Sequence, residues 1–315
     1  MEGASARGRH VRCWGRARGP VRDARGQARA ARGCVMSRNV LWAYGHFSDN
    51  APRSIMADVQ NIGTTAFDVV VLPFLHVQPD GVLHLNDTPV SQLWSGLPDA
   101  LRQLKTGFPI RRKLLVSLGP FQADFTAATR DLKGFAERLA DFLATYHLDG
   151  LDLDFEGDFS DPANVDRIAG IVNACHEMAA RPLITLSPFK DTAFWAGRRG
   201  VLSRTTTRTG NKVSWLHVQL YAGEYNTAPS GWATRFHAWA RAVTEGPNRI
   251  TEADAPAFLV PGCNAETYSP QQLTTAIAAV REQHPAMGGA FVWNYDAFVA
   301  RASVWATTIR GALSP

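Results

Sequence analysis

The sequence predicts an α/β protein folded as a (β/α)8 TIM barrel, and three observations support this fold class. From residue 36 onward, eight β-rich runs alternate with helical patterns over about 280 residues. Hydrophobic residues make up 45% of the 315-residue chain and charged residues 19%, which is enough apolar material for a sizeable core. No GxGxxG or GxxxxGKS motif follows the first run, so a doubly wound phosphate-binding sheet, the alternative fold, loses support.

The eight strands are predicted from short runs rich in β-branched and aromatic residues. They cover residues 39–45, 67–75, 113–119, 148–156, 182–189, 213–221, 255–262 and 288–295. The two clearest helices are predicted at 131–147 and 162–181, where apolar residues recur every three to four positions. Cys175 lies on the apolar stripe of the second helix, which indicates a buried small side chain rather than a nucleophile.

The first 35 residues differ in composition from the rest of the chain. Residues 1–33 carry nine arginines and two acids, whereas the remainder carries 24 basic and 26 acidic residues. We therefore expect residues 1–35 to be a disordered Arg-rich segment and residues 36–315 to form the barrel domain. The segment is open to three interpretations: translation from a start codon placed too early, an organelle transit peptide, or a polybasic binding arm. A start codon placed too early is favoured because Met36 directly precedes the first predicted strand.

Composition also bounds the partners and the compartment. The nearly neutral body gives no indication of nucleic-acid binding, and no apolar run approaches the length of a membrane span. The four cysteines form no CxxC pair, which argues against a disulfide scaffold or a zinc module. No secretory signal is visible, so the sequence alone predicts a cytoplasmic protein, or an exported one if the true N-terminus differs. We expect a monomer that needs no cofactor and no metal.

The fourth predicted strand carries a row of three acids. Side chains alternate along a strand, so Asp152, Asp154 and Glu156 share one face, spaced by about 6.6 Å per two residues. The intervening residues, two leucines and a phenylalanine, occupy the other face and can pack on outer helices. Like charges this close raise one another's pKa and are costly to bury, so the row indicates function rather than a solvated edge strand.

Two chemistries need such a row: a divalent-metal site, or general acid/base catalysis with one carboxyl kept protonated. The nine histidines are scattered and form neither HExxH nor HxH. The sequence therefore favours acid/base catalysis.

Residues 149–156 resemble the DGxDxDxE signature of the family 18 glycoside hydrolases, the chitinases and endo-β-N-acetylglucosaminidases. Every defined position matches, on the fourth of eight strands, where that family carries it. Residues 117–120 are similar to the SxGG motif of the family, and residues 219–222 are similar to its tyrosine motifs. Trp293 ends the eighth run, where the family places a tryptophan floor, and Tyr44 lies near the end of the first run.

The resemblance implies a substrate-assisted retaining mechanism, in which the 2-acetamido group of the sugar is the nucleophile. Glu156 would be the general acid/base. Asp154 would orient the acetamido group and stabilise the oxazolinium intermediate, while Asp152 would share a proton with Asp154. Tyr221 would donate its hydroxyl to the acetamido oxygen.

Substrate binding is expected from residues near the carboxyl ends of the strands, namely Trp293, Gln219, Tyr44 and Ser117. Tyr44 and Ser117 could also hydrogen-bond the inner acids, and Gln219 could make a structural hydrogen bond instead of a substrate contact. Further aromatic residues are candidates for outer sugar subsites, namely Trp195, Trp215, Trp232 and Tyr225.

The implied activity is hydrolysis of β-1,4 bonds in N-acetylglucosamine-containing glycans. Chitin or chitooligosaccharides are one substrate class, and the chitobiose core of N-glycans is the alternative. A non-catalytic chitin-binding, lectin-like barrel is a second alternative, although such relatives usually lose the acid at the position of Glu156. The sequence departs from the family pattern at Pro120 and at Ala222, where Asp or Asn usually stands. The short interval between the seventh and eighth runs predicts a compact barrel without the α+β insertion of many chitinases.

Overall fold

The computed structural model describes residues 37–48, 51–221 and 228–314. The predicted segment 1–35, Ala222 and Tyr225 lie outside these ranges. The described part of the chain contains ten strands: β1 (Arg38–Trp42), β2 (Val69–Val77), β3 (Leu83–Leu85), β4 (Thr88–Pro89), β5 (Lys113–Leu118), β6 (Gly150–Leu153), β7 (Leu183–Leu186), β8 (Trp215–Gln219), β9 (Leu259–Asn264) and β10 (Gly289–Trp293).

Eight of these strands form a closed parallel barrel, as predicted. β1 pairs with both β2 and β10, and each remaining pair in the order β2, β5, β6, β7, β8, β9, β10 is parallel. The two remaining strands, β3 and β4, extend the end of β2 as an antiparallel hairpin that the sequence did not predict.

Helices separate the barrel strands along the chain. They are α1 (Pro52–Gly63), α2 (Leu97–Thr106), α3 (Gln122–Arg130), α4 (Leu132–Thr145), α5 (Pro162–Glu177), α6 (Thr192–Ala196), α7 (Val201–Arg204), α8 (Trp232–Ala242), α9 (Ala255–Phe258), α10 (Pro270–Gln283) and α11 (Ala302–Leu313). The predicted helices 131–147 and 162–181 are confirmed as α4 and α5. Within the described ranges, none of the helices has the length and hydropathy that a bilayer-spanning segment requires.

Two details of the seventh repeat bear on the predictions. The predicted strand 255–262 begins too early, because α9 occupies its first residues, with a proline near the helix start, where it costs no hydrogen bond. Between β9 and β10 the chain forms α10 and short connections, so the prediction of a barrel without an inserted subdomain is confirmed.

The barrel interior has an apolar floor beneath a polar layer. The floor is built from inward residues of several strands: Val40, Trp42, Val69, Val71, Leu115, Trp215, Val260 and Phe291. Outward residues of the same strands pack against the helices in a larger cluster. Toward the carboxyl ends of β5, β6, β7 and β8 the interior side chains become polar although they remain buried. This polar layer is where the acid row lies.

Gly150 is needed where β6 meets β7. Its register partner is Leu183, and a Cβ at Gly150 would overlap the carbonyl oxygen of that residue. We expect Gly150→Ala to lower the free energy of unfolding by roughly 2 to 4 kcal/mol, because the backbone of one strand must shift. Denaturant titration followed by circular dichroism measures this. Gly170→Ala in α5 is the matched control, since the added Cβ meets only Leu132 Cδ1, at 3.4 Å. The control should be as stable as the parent or up to about 1 kcal/mol more stable. Equal effects of the two substitutions would contradict the steric explanation.

Candidate active site

The acid row continues the direction of β6 beyond its last assigned residue. The backbone N–H of Asp154 donates to Leu118 O at 2.9 Å, and that of Glu156 donates to Pro120 O at 3.0 Å. These bonds prolong the parallel pairing with β5, so the side-chain alternation also persists. Asp152 is fully buried, Asp154 is 4% exposed, and Glu156 reaches solvent at the mouth of the barrel. The row therefore runs from the closed interior to the open cleft.

Gly119 lets β5 approach the acid row this closely. Its φ is +133°, a conformation that side chains disfavour, and a Cβ would overlap the carbonyl oxygen of Asp154. The SxGG-like motif therefore needs glycine at this position, because any side chain would collide with the Asp154 carbonyl. Pro120, which follows it, supplies only a carbonyl to the pairing described above.

Asp152 lies at the centre of a buried hydrogen-bond network. Ser117 Oγ and Ser187 Oγ donate to its Oδ2 at 2.9 and 2.8 Å. Thr185 Oγ1 and His217 Nδ1 contact its Oδ1, the histidine at 3.0 Å. All five side chains are fully buried. Ser117 and Thr185 are the register partners of Asp152 on the two flanking strands, so the barrel itself aligns these groups.

Gln219 joins the two outer acids. Its Nε2 donates to Asp154 Oδ1 at 2.8 Å and lies 3.4 Å from Glu156 Oε1. The same nitrogen donates to the Ser187 carbonyl at 3.1 Å, and because a carbonyl only accepts, this contact fixes which end of the amide faces the acids. Gln219 therefore makes the structural hydrogen bond that the sequence allowed, and its role toward substrate remains a prediction.

The environment raises the pKa of both outer acids. Burial is the largest cause for Asp154, whose pKa lies well above its ordinary value, and the charges of Glu156 and Asp152 add to it. Burial also raises the pKa of Glu156, against the opposing hydrogen bond from Gln219 and the charge of Lys190. The cluster consequently favours keeping a proton on this pair near neutral pH, which a general acid requires.

Tyr221 lies two residues beyond Gln219, the last residue of β8. Burial, followed by the charges of Asp154 and Glu156, raises its pKa well above the ordinary value. Its hydroxyl therefore stays protonated and can donate a hydrogen bond beside the acids. The ring is held by an edge contact with Phe291, with centroids 6.0 Å apart.

Aromatic side chains form one wall of the cleft. Trp293, at the end of β10, contacts Tyr44 and Phe74 with ring centroids 5.7 and 5.9 Å apart. Trp293 is half-buried and Tyr44 is 40% exposed, so both present ring surface at the barrel mouth. Within residues 37–48, 51–221 and 228–314, no hydrogen bond joins Tyr44 to the acids. The expectation of such a bond is wrong for Tyr44, whereas Ser117 makes one.

Three of the aromatic residues proposed for outer subsites are unavailable to a sugar. Trp195 and Trp232 are fully buried against the helices. Trp215 belongs to the floor at the opposite end of the barrel, where the Arg38 guanidinium lies 4.3 Å from its ring centroid. These predictions were wrong because Trp195 and Trp232 lie in the helices α6 and α8, and Trp215 lies at the amino end of β8, away from the acid row.

The sequence reasoning missed three polar residues of the site: Thr185, Ser187 and His217. The sequence did indicate His217, because residues 217, 219 and 221 alternate along the predicted strand 213–221 and so share one face. In the part of the chain that the structure describes, no group of three or more His, Cys, Asp or Glu side chains is arranged to hold a metal ion.

Comparisons with known proteins give relatives in sequence and in structure. No family model matches the chain. Chitinase D of Niallia circulans is 24% identical over 273 residues, covering 80% of this chain and 50% of that protein. Chitinase Chi52 of Paenibacillus xylanexedens is 24% identical over 278 residues, covering 81% and 50%. The chain thus spans about half the length of these curated relatives.

Solved structures share the fold. A family 18 chitinase from Pseudoalteromonas aurantia has a TM-score of 0.66 at 18% identity, covering 88% of this chain and 100% of its own. A fungal endo-β-N-acetylglucosaminidase of the same family has a TM-score of 0.63 at 18% identity, covering 88% and 98%. This chain resembles the family 18 glycoside hydrolases. The resemblance drawn from residues 149–156 thus extends to 80% of the chain in sequence and to 88% of it in fold.

Two residues, Pro120 and Ala222, depart from the family 18 pattern. Pro120 leaves the pairing of β5 with the acid row intact, as described above. Ala222 lies outside the described residues, so its effect on substrate contacts remains a prediction.

Proposed function

We propose that the chain is a glycoside hydrolase that cleaves β-1,4 bonds in chitin or chitooligosaccharides by substrate-assisted, retaining catalysis. The observation that carries the proposal is the row of Asp152, Asp154 and Glu156, with Gln219 bridging the outer two at the open end of the barrel. The chitinase relatives support the substrate class.

In this mechanism Glu156 protonates the glycosidic oxygen and later takes a proton from water. It has the two properties this requires: access to the cleft and a raised pKa. Asp154 accepts a hydrogen bond from the acetamido N–H and so turns the acetamido oxygen toward the anomeric carbon. The Tyr221 hydroxyl donates a hydrogen bond to that oxygen. Holding a tethered nucleophile in place gains rate through effective molarity. Trp293 supplies the apolar face against which the sugar ring lies.

A second candidate is an endo-β-N-acetylglucosaminidase acting on the chitobiose core of N-glycans. The fungal enzyme of that kind shares this fold, and the β9–β10 connection holds α10 without an inserted subdomain over the cleft. A non-catalytic sugar-binding barrel is disfavoured because Glu156 is present and solvent-accessible.

Product analysis by mass spectrometry tests the proposal. Chitin oligomers and a high-mannose glycopeptide are offered to the same preparation. Shorter chitin oligomers alone support the first candidate, and a glycopeptide left with one N-acetylglucosamine supports the second. Absence of hydrolysis products from both substrates would contradict the proposed function.

Lys190 provides a test of the pKa argument. Its positive charge lowers the pKa of Glu156, and its ammonium lies 5.3 and 5.1 Å from the ring centroids of Phe159 and Phe189. Lys190→Met keeps the apolar stem and removes the charge. Glu156 should then keep its proton to higher pH, so the basic limb of kcat/KM should move upward by roughly half a pH unit. The control is Lys133→Met on the exposed surface of α4. A downward shift, or an equal shift in the control, would contradict this reading of the electrostatics.

A further inference from the structure

His46 lies between two carboxylates near the mouth of the barrel. Its Nδ1 is 2.8 Å from Asp58 Oδ2, and its Nε2 is 2.6 Å from Asp296 Oδ1. A neutral imidazole carries one proton and one lone pair, so it can donate to only one of these oxygens and would turn a lone pair toward the other. A proton on each nitrogen removes that repulsion, and imidazole is a stronger base than a carboxylate. The arrangement therefore suits an imidazolium ion that donates to both carboxylates.

The groups that face the ring favour its charged form. Burial disfavours the charge, but the hydrogen bonds and the negative charges of Asp58 and Asp296 outweigh burial, and the pKa of His46 is raised. Asp58 comes from α1, whereas Asp296 and Tyr295 belong to a 3-10 helix over Tyr295–Arg301. The Tyr295 ring lies 4.6 Å from the imidazole, and burial followed by the charge of Asp58 raises the pKa of its hydroxyl, so it stays neutral.

These contacts join the two segments that carry the aromatic wall of the cleft. His46 lies two residues after Tyr44, in the turn that follows β1. Asp296 lies three residues after Trp293, the last residue of β10. The rings of Tyr44 and Trp293 are 5.7 Å apart. A pair of ionic hydrogen bonds so close to both rings limits how far the rings can separate.

Steric contacts at Gly45 do not fix the turn after β1. Gly45 stands between Tyr44 and His46 with φ at +75°, and no heavy atom lies within 4 Å of the position that a Cβ would take. Such an open glycine leaves the residues on either side free to reorient. The Ser48 hydroxyl donates to the Gly45 carbonyl at 3.1 Å, but this bond lies within the turn itself. His46, in contrast, links the turn to α1 and to the segment after β10.

We propose that His46 is a positioning residue, which acts as a cation between Asp58 and Asp296. It holds the turn after β1 against the segment after β10, and so keeps Tyr44 and Trp293 at the spacing in which they bind a sugar ring. The sugar-binding part of the inference rests on the proposed function, whereas the charge of His46 and the spacing of the two rings do not.

The sign of the pH dependence follows from the raised pKa of His46. A group whose pKa is raised in the folded protein keeps its favourable interactions at low pH and loses them as the pH rises through that pKa. Above it, one ring nitrogen turns a lone pair toward a carboxylate, and the link between the two segments weakens. Affinity for the glycan should therefore fall on the alkaline side.

Other hydrogen bonds keep the fold together when this link is weakened. Asn61 Nδ2, on α1, donates to the Tyr295 hydroxyl at 2.6 Å and to the Val299 carbonyl at 2.8 Å. The side chain of Asp296 is 59% exposed. Substitutions of Asp296 should consequently leave the protein folded, which makes this residue the better one to vary.

The first experiment needs no sugar. Two-dimensional NMR of the ¹⁵N-histidine-labelled protein, recorded over a pH series, reports the protonation of each ring nitrogen. The chain has nine histidines, and the signal of His46 is the one lost in His46→Gln. The expected titration midpoint lies above the ordinary value of about 6.5 and falls in Asp296→Asn. A midpoint at or below the ordinary value would overturn the proposal.

The same preparation tests the positioning. Nuclear Overhauser contacts between the rings of Tyr44 and Trp293 should be present below the midpoint. They should weaken in Asp296→Ala, which removes the acceptor, and persist in Asp296→Asn, whose amide can bond His46 Nε2 whether that nitrogen is protonated or not. Contacts of equal strength in Asp296→Ala and the parent would show that His46 does not set the spacing.

The second experiment measures affinity for a chitin oligomer by calorimetry. All proteins carry Glu156→Gln, so that the ligand is not hydrolysed. Below the midpoint, adding Asp296→Ala should weaken binding by roughly three- to tenfold, whereas adding Asp296→Asn should change it by less than about twofold. Asp99→Ala is the control, because Asp99 is an exposed carboxylate that pairs with Arg102 within α2. The control should bind as tightly as the Glu156→Gln protein.

The pH profile separates the charge of His46 from a purely structural role. Raising the pH through the measured midpoint should weaken binding in the Glu156→Gln protein, and less so when Asp296→Asn is also present. Asp154 and Tyr221 are the same in both proteins, so their titration cancels in the comparison. Identical profiles would overturn the proposal.

Thermal melts identify any variant that fails to fold, and the titration and ring contacts of the parent and of Asp296→Asn then decide the outcome. If the Glu156→Gln protein binds no chitin oligomer and the parent hydrolyses none of the substrates offered, the proposed function fails. The NMR measurements still test the charge of His46 and its effect on the two rings in that case.

Discussion

Replacing Glu156 with glutamine should abolish hydrolysis while leaving sugar binding within a few-fold of the parent. The amide is nearly isosteric with the carboxyl but has no acidic proton to give to the leaving oxygen. General acid/base assistance accelerates a reaction by a factor of about 10² to 10⁴, so kcat should fall by about that factor or more. Release of reducing ends measures the rate, and calorimetric titration with a chitin oligomer measures binding.

Glu137→Gln serves as the control, because Glu137 lies on the exposed face of α4, where it pairs only loosely with Lys133 at 3.8 Å. This control should hydrolyse at the parental rate. Parental activity in Glu156→Gln would refute the mechanism. Loss of binding together with activity would show that Glu156 serves mainly to hold the sugar.

The acetamido group should be required on the sugar at the non-reducing side of the cleaved bond. If the substrate supplies the nucleophile, a free 2-amino group or a 2-hydroxyl at that sugar should react negligibly even where it binds. A thiazoline analogue of the oxazolinium ion should inhibit competitively, because Asp154 and Tyr221 are arranged to hold that intermediate. Asp154→Asn should lose roughly 10²- to 10³-fold in kcat, since an amide hydrogen-bonds but does not offset positive charge.

These results separate substrate assistance from a double displacement by an enzyme carboxylate. The second route tolerates a 2-hydroxyl and leaves a covalent glycosyl-enzyme. Mass spectrometry after incubation with an activated 2-fluoro sugar detects such an adduct. An adduct on Asp152 or Asp154 would overturn the assignment and leave the resemblance as one of fold only.

Local periodicity was sufficient to predict the barrel and the acid row. All eight predicted runs overlap a barrel strand, and the shared face of Asp152, Asp154 and Glu156 follows from alternation alone. The ends of the elements were less certain, since α9 replaces the start of one predicted strand and the hairpin of β3 and β4 is too short to show a period.

The inner part of the site could not be predicted, because it depends on the register between strands far apart in the chain. His217 reaches Asp152 across 65 positions, and Gln219 reaches Asp154 across the same separation. Alternation along a strand predicts which side chains point inward, but it does not predict how far along the barrel axis each one lies. Exposure is equally non-local, which is why Trp195 and Trp232 were misassigned.

Among the residues that the structure describes, the apolar floor closes the lower end of the barrel, so the acid row meets solvent at the end where Glu156 lies. Asp152 and His217 have no exposed surface, Trp42, Trp215 and Phe291 pack below them, and Glu156 is the exposed member of the row. A sugar bound in the cleft as proposed would cover Glu156 and separate the acid row from bulk water. The proton that Glu156 gives to the glycosidic oxygen would then have to be on the acid row before the sugar binds, and the water that later attacks would return it.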